Sequence, residues 1–293
     1  MARDHPLLPF LAVIAGIATF SAMDAVMKSA AIAAGVFTAI LLRNVFGTLL
    51  MIPVWAFAGR PVPTREALRV HLLRSAVTSV MALLFFYGLV RIPLAEAIAI
   101  SFIAPLIALY FAALILGETI RPAAILASLL GLAGVLVIGA ARFGRGGFDA
   151  DSAWGIAAIL TSAVFYAFNL VLQRKQALLA GPIEIALVQN LFVALLLSIA
   201  APWFLHWPEP TALHDIAAGA VLATAALLFL SWGYARAEAQ ALVPIEYTGF
   251  LWAALFGWLW FGERVGVATV IGAVLIVIGC WIAARKPTEM TVL

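Results

Sequence analysis

Residues 87–118 read YGLVRIPLAEAIAISFIAPLIALYFAALILGE, and residues 232–263 read WGYARAEAQALVPIEYTGFLWAALFGWLWFGE. Slid by 145 positions without a gap, they share Gly88/Gly233, Arg91/Arg236, Ile100/Ile245, Leu106/Leu251, Ala108/Ala253, Phe111/Phe256, Leu114/Leu259, Gly117/Gly262 and Glu118/Glu263. Apolar runs match by chance fairly often. Chance does not also set a Gly–Arg and a Gly–Glu pair at the edges of both copies. The chain therefore reads as a duplicated unit. The same shift sets Phe20 on Phe165 and Asp24 on Asn169, and a shift of 146 sets Asn44 and Phe46 on Asn190 and Phe192.

The duplicated material is apolar. Of the 293 residues 66% are hydrophobic and 11% charged, with a mean hydropathy of +1.13. A soluble domain carries about 25% charged residues, so the solvent here is lipid. About 20 apolar residues cross the hydrocarbon core as a helix. Ten stretches qualify: 7–27, 36–58, 73–90, 94–116, 122–140, 153–173, 183–204, 216–235, 241–261 and 265–284. Only the links 59–72, 141–152 and 205–215 exceed a few residues, which leaves no room for a soluble catalytic domain. The apolar run after residue 9 reads as a retained first helix, not a cleaved signal. A single cysteine, Cys280, excludes an internal disulfide.

Lys and Arg set the orientation. With a cytoplasmic N-terminus, 11 fall inside (Arg3, Arg60, Arg65, Arg69, Arg74, Arg121, Arg174, Lys175, Arg236, Arg285, Lys286) and 5 outside (Lys28, Arg91, Arg142, Arg145, Arg264). The positive-inside rule then puts both termini in the cytoplasm, which in a Gram-negative cell means the inner membrane. The net charge of +3 serves this orientation and not nucleic acid. Five spans per half is an odd number, so the second half starts on the opposite side. The expectation is an all-α integral membrane protein of ten transmembrane helices, as two inverted five-helix repeats (residues 1–143 and 151–293) around a central cavity. Gly144, Arg145, Gly146 and Gly147 form the link between them. Inverted repeats mark secondary transporters, whose site lies near the midplane where the repeats meet.

Ten spans in two halves, an arginine inside span two (Arg43, in LLRNVFG) and Gly–Glu closing spans four and nine resemble the drug/metabolite transporter superfamily, EamA type. Length and layout are similar to bacterial exporters of amino acids, the aromatic amino acid and paraquat exporters among them. The resemblance implies a basket of helices around a cavity, gated by one hairpin from each half in alternating access. It also places Phe20, Tyr87, Phe102, Tyr110, Tyr166, Trp232 and Tyr247 in spans near that cavity, where together they suit an apolar or aromatic side chain. The second half holds Gln189 where the first holds Arg43.

Several residues can carry transport. Asp24, four residues before Lys28, is either half of a self-neutralised pair on one helix face or a lining carboxylate that meets a substrate ammonium, since ionisable groups in a membrane are costly. Arg43 either ties helices together or clamps a substrate carboxylate in bidentate fashion. Glu246, beside Tyr247 in VPIEYTGF, is a proton site, an ammonium ligand or a structural pairing residue. Pro244 and Pro105 bend spans nine and four at positions that do not coincide in the repeat, so the halves are expected to bend differently. Asn44, Asn169, Gln173, Gln189 and Asn190 add amides. Glu118 and Glu263 read as junction carboxylates at helix starts, and Gly131, Gly134, Gly139, Gly272 and Gly279 as packing positions. With Arg43 as the only interior cation, a multiply charged substrate is disfavoured.

No phosphate-binding loop, metal-ligand spacing or nucleophile set is present, so no cofactor, no metal and no enzymatic activity are expected. The expected function is export of amino acids, aromatic or neutral, or related small metabolites. The alternative is a proton-coupled exporter of lipophilic cations using Asp24 or Glu246. The partners are a small-molecule substrate and the bilayer, without nucleic acid; the sequence is compatible with a monomer and does not fix the oligomeric state.

Overall fold

The computed structural model describes residues 7–60, 62–91, 94–117, 120–143, 150–262 and 266–284, and every regular element among them is helical. The first half holds α1 (Leu8–Ala34), α2 (Val36–Phe57), α3 (Arg65–Leu89), a broken span made of α4 (Leu94–Ser101) and α5 (Ala104–Leu116), and α6 (Pro122–Phe143). The second holds α7 (Ala150–Leu179), α8 (Pro182–Ser198) with the short α9 (Ala201–Phe204), α10 (Pro210–Arg236), a second broken span and α13 (Val267–Ala284). That broken span comprises α11 (Ala239–Leu242), a 3-10 turn (Val243–Tyr247) and α12 (Thr248–Phe261). These make the ten membrane spans read from the sequence.

Several helices outrun the apolar windows. α3 starts at Arg65 and not near residue 73, because Thr64 caps it: its hydroxyl accepts the Ala67 N–H at 3.1 Å, and Glu66 sits in the first turn. α1, α7 and α10 also extend beyond the expected limits. Hydropathy marks what lipid touches, and a helix continues past that as long as its backbone is capped. Gly117 (φ 69°) closes α5 and Gly262 (φ 65°) closes α12 in the left-handed conformation that ends helices cheaply with glycine. That accounts for the glycine of the duplicated Gly–Glu. Glu118, Glu263 and the link at 144–149 lie outside the described residues.

The two broken spans differ, as their out-of-register prolines imply: 94–101 is one helix, and its counterpart is α11 followed by the 3-10 turn. The breaks nevertheless end in register: the gap after Ser101 and the end of the 3-10 turn at Tyr247 are equivalent at the 145 shift. Pro105 stands in the first turn of α5, where its missing N–H costs nothing, and Pro244 stands in the first turn of the 3-10 segment. Two differently placed prolines serve one shared break.

The halves exchange partners. α1 packs on α10 and α3 on α7, while α2 packs on α8 and α6 on α13. Small residues let α6 and α13 meet backbone to backbone: a Cβ on Gly134 would stand 2.5 Å from the Gly272 carbonyl oxygen, and one on Gly279 2.7 Å from that of Ala127. Gly131 leaves a socket for the ring of Tyr247. Gly131→Val should therefore lower the melting temperature of the detergent-purified protein, as overpacking of about 1–3 kcal/mol does. Gly181→Ala, with nothing within 4 Å of the added carbon, should leave it unchanged.

Candidate functional site

A cavity of about 190 Å³ lies between the halves, walled by α1, α2, α3, α7, α8, α10 and the two broken spans. Phe20, Asp24, Arg43, Asn44, Phe102, Tyr166, Asn169, Gln189 and Glu246 all line it. Phe20 also packs against all three apolar cores of the bundle. Phe85 and Phe86, which sequence reasoning did not single out, extend the aromatic wall.

Arg43 is 8% exposed, and its described contacts satisfy it poorly: one guanidinium nitrogen donates to the Met23 sulfur at 3.4 Å, and Nε has no acceptor. Asp24 makes no hydrogen bond among the described residues. The two feel each other's charge, but no ion pair within 4.0 Å closes between them. Gln189, buried beside them, has both amide atoms free of partners. Asn44 and Asn190, equivalent in the repeat, each donate to the carbonyl four residues back, at 2.8 Å. That leaves each side-chain oxygen as an acceptor.

The residue most clearly missed is Arg74. It counted as a cytoplasmic flanking charge because it stands at the edge of an apolar window. In the structure it is 2% exposed and lines the cavity. Its Nε donates to Asn169 Oδ1 at 3.0 Å, and its terminal nitrogens donate to Gln173 Oε1 at 2.5 Å and to Gln176 Oε1. The amides at 169, 173 and 176 recur at helical spacing and present one face of α7. Thr78 donates to the same Asn169 oxygen at 3.1 Å. Behind Gln176 stands His71, fully buried. Gln176 donates to its Nδ1 at 2.5 Å, and its Nε2 donates to Glu184 at 3.0 Å. The carboxylate can only accept, so this chain requires the Nε2–H tautomer. Arg174, buried as well, donates to the Tyr234 carbonyl. Neither arginine is a flanking charge, though the inside excess survives their removal.

Glu246, 4% exposed, is clasped by two phenols. Tyr166 donates to one carboxylate oxygen at 2.5 Å and Tyr234 to the other at 3.1 Å. Tyr234 carried no sequence signal beyond its place in an apolar span.

Four expected lining residues lie elsewhere. Tyr87 is 39% exposed and carries Arg91 stacked 3.5 Å from its ring centre, while Arg236 stacks 4.0 Å from that of Trp232. Each arginine also donates to its aromatic partner's carbonyl. The pairs are repeat equivalents and form one latch used twice, for which the shared aromatic–x–x–x–Arg spacing is the sequence signal. Tyr247 is fully buried and turned away from the cavity toward Gly131. It packs on Phe102 at 5.1 Å, because a 3-10 turn sends neighbours to different sides. Tyr110 is exposed. Among the described residues, no three His, Cys, Asp or Glu side chains converge as a metal site.

A lipid-embedded bundle around a largely apolar cavity with opposite charges on its wall defines a small-molecule transporter. Residues 7–140 and again 153–285 match the EamA-like transporter family, and the chain belongs to that family, within the drug/metabolite transporter superfamily. It is 29% identical over 282 residues to the pseudopaline exporter CntI of Pseudomonas aeruginosa, covering 94% of this chain and 95% of that one. Over 93 residues, 32% of each chain, it is 36% identical to the aromatic amino acid exporter YddG of Ancylobacter novellus. A solved crystal structure shares its fold with a TM-score of 0.75 and 25% identity, covering 94% of this chain and 96% of the other.

His71→Leu strips Glu184 of its donor and Gln176 of its acceptor, and should destabilise by about 2–4 kcal/mol. Adding Glu184→Leu should recover part of that loss in a double-mutant cycle on detergent-purified protein.

Proposed function

We propose that this chain is a secondary transporter exporting amino acids, or small metabolites with the same carboxylate and ammonium groups, across the inner membrane. The carrying observation is the open pair Arg43 and Asp24. A guanidinium with little to bond and a carboxylate with no hydrogen bond share one wall without meeting. A zwitterion between them completes both, with bidentate Arg–carboxylate contact on one side. Gln189 adds unpaired donors and acceptors, and the aromatic wall of Phe20, Phe85, Phe86, Phe102 and Tyr166 accepts the side chain. The exporter names of two relatives support the direction of transport. Two guanidinium groups on the wall speak against a lipophilic cation.

The mechanism is alternating access of two inverted halves, 1–143 and 151–293, with both termini cytoplasmic. The exchanged partners (α1 with α10, α3 with α7), the double family match and the repeated arginine latch support the two-fold relation. The hairpins α3–α5 and α10–α12 are the gates. Their coincident breaks provide hinges next to the cavity.

In proteoliposomes, a panel of labelled amino acids with and without a pH gradient should reveal transported species. Arg43→Ala should reduce their transport about ten-fold or more, as expected for a lost charge-assisted contact. Unchanged transport of every tested amino acid by this variant would show the carboxylate clamp to be wrong.

A further inference from the structure

The cavity holds two interior cations, Arg43 and Arg74, where the apolar windows of the sequence show one. Arg74 faces only neutral oxygens. Asn169, Gln173 and Gln176 engage three of its five N–H groups and cancel none of its charge. No carboxylate stands within 4.0 Å of it among the described residues. Glu184, at the end of its bonded chain, is held two side chains away behind Gln176 and His71. Tyr166 and Tyr234 are its other electrostatic neighbours, and both phenols donate to Glu246.

An arginine serving only to tie α3 to α7 in lipid would be cheapest next to a carboxylate, because an unneutralised buried charge is costly. Here the charge is desolvated, held by three neutral oxygens, and set in the cavity wall. That is the preparation expected of an anion site.

Depth separates the two cations. α2 and α3 are consecutive antiparallel spans, so the start of α2 and the end of α3 share one membrane side. Arg43 lies seven residues from Val36 and Arg74 fifteen from Leu89. At 1.5 Å per residue these are about 10 Å and about 22 Å from that side. The guanidinium groups thus belong to two levels of one cavity.

We infer that Arg74 is a second anion-binding subsite, and that the transported molecule carries two acidic groups separated by a short chain, one for each arginine. A dicarboxylic amino acid, or a conjugate of one, has this chemistry. The inference rests on the amino-acid reading above and narrows it. Gln176 and His71 are positioning residues that fix the direction of the fork.

The test uses two probes of equal chain length on the purified protein. α-Aminopimelate ends in a second carboxylate four methylenes from its α-carbon; α-aminoheptanoate ends in a methyl group. Competition binding is measured for the wild type, Arg43→Gln and Arg74→Gln. The wild type should bind the diacid at least about ten-fold tighter than the monoacid. Arg74→Gln should abolish that preference by weakening the diacid about ten-fold more than the monoacid, and Arg43→Gln should weaken both probes. Residual monoacid binding doubles as the folding control, and the wild-type comparison depends on no variant. Monoacid binding without any diacid preference overturns the subsite and leaves the amino-acid reading standing. Equal loss of both probes in Arg74→Gln makes Arg74 structural and overturns it too. If neither probe binds the wild type, the amino-acid reading falls and this inference with it.

Discussion

Lipid offers no hydrogen bonds. Every interruption of a helix and every polar side chain in the bilayer must find partners inside the protein, and the placing of both broken spans follows from this. The gap after Ser101 and the 3-10 turn at 243–247 free backbone groups that lipid cannot satisfy. Both therefore sit beside the cavity, where Ser21 donates to the Gly249 carbonyl at 3.3 Å and Phe102, Tyr247 and Phe250 fill the space around. The same rule explains why the interior polar groups form chains and not isolated points. Glu184, His71, Gln176, Arg74 and Asn169 satisfy one another in sequence, and Glu246 is closed off by two phenols.

A polar chain of this kind both anchors and orients. Arg74 joins the third helix of one half to the first helix of the other, and its fork is held against three oxygens that cannot shift independently. Arg43 is held by much less. A cavity with one firmly and one loosely held guanidinium can keep its geometry at one end while the other adjusts to a ligand.

Much of this was legible in the sequence, and the failures share a cause. The ten spans follow from apolar length, and the glycines of the Gly–Glu junctions from helix closure. Arg43, Asp24 and Glu246 stood out because a charge inside an apolar run is costly in lipid and demands a partner, structural or functional. Arg74 has the same chemistry but stands at a window's edge, where a flanking charge is the ordinary explanation, and no hydropathy argument reports that Thr64 starts the helix nine residues earlier. Tyr87, Trp232 and Tyr247 were placed by span and not by face. Their true positions depend on the arginine four residues on and on a 3-10 turn, which no 3.6-residue periodicity reveals.

The two copies have divided their labour. Asp24, Arg43 and Arg74 belong to the first half, and their counterparts in the second are Asn169, Gln189 and Gly219. The second half contributes the amides that receive Arg74, and Glu246 where the first half has Ser101. A chain built from two first halves would crowd six charges into the cavity with no cradle for its arginines. One built from two second halves would have the cradle and no arginine to fill it. Neither half, paired with a copy of itself, could supply both the arginine and the amides that hold it.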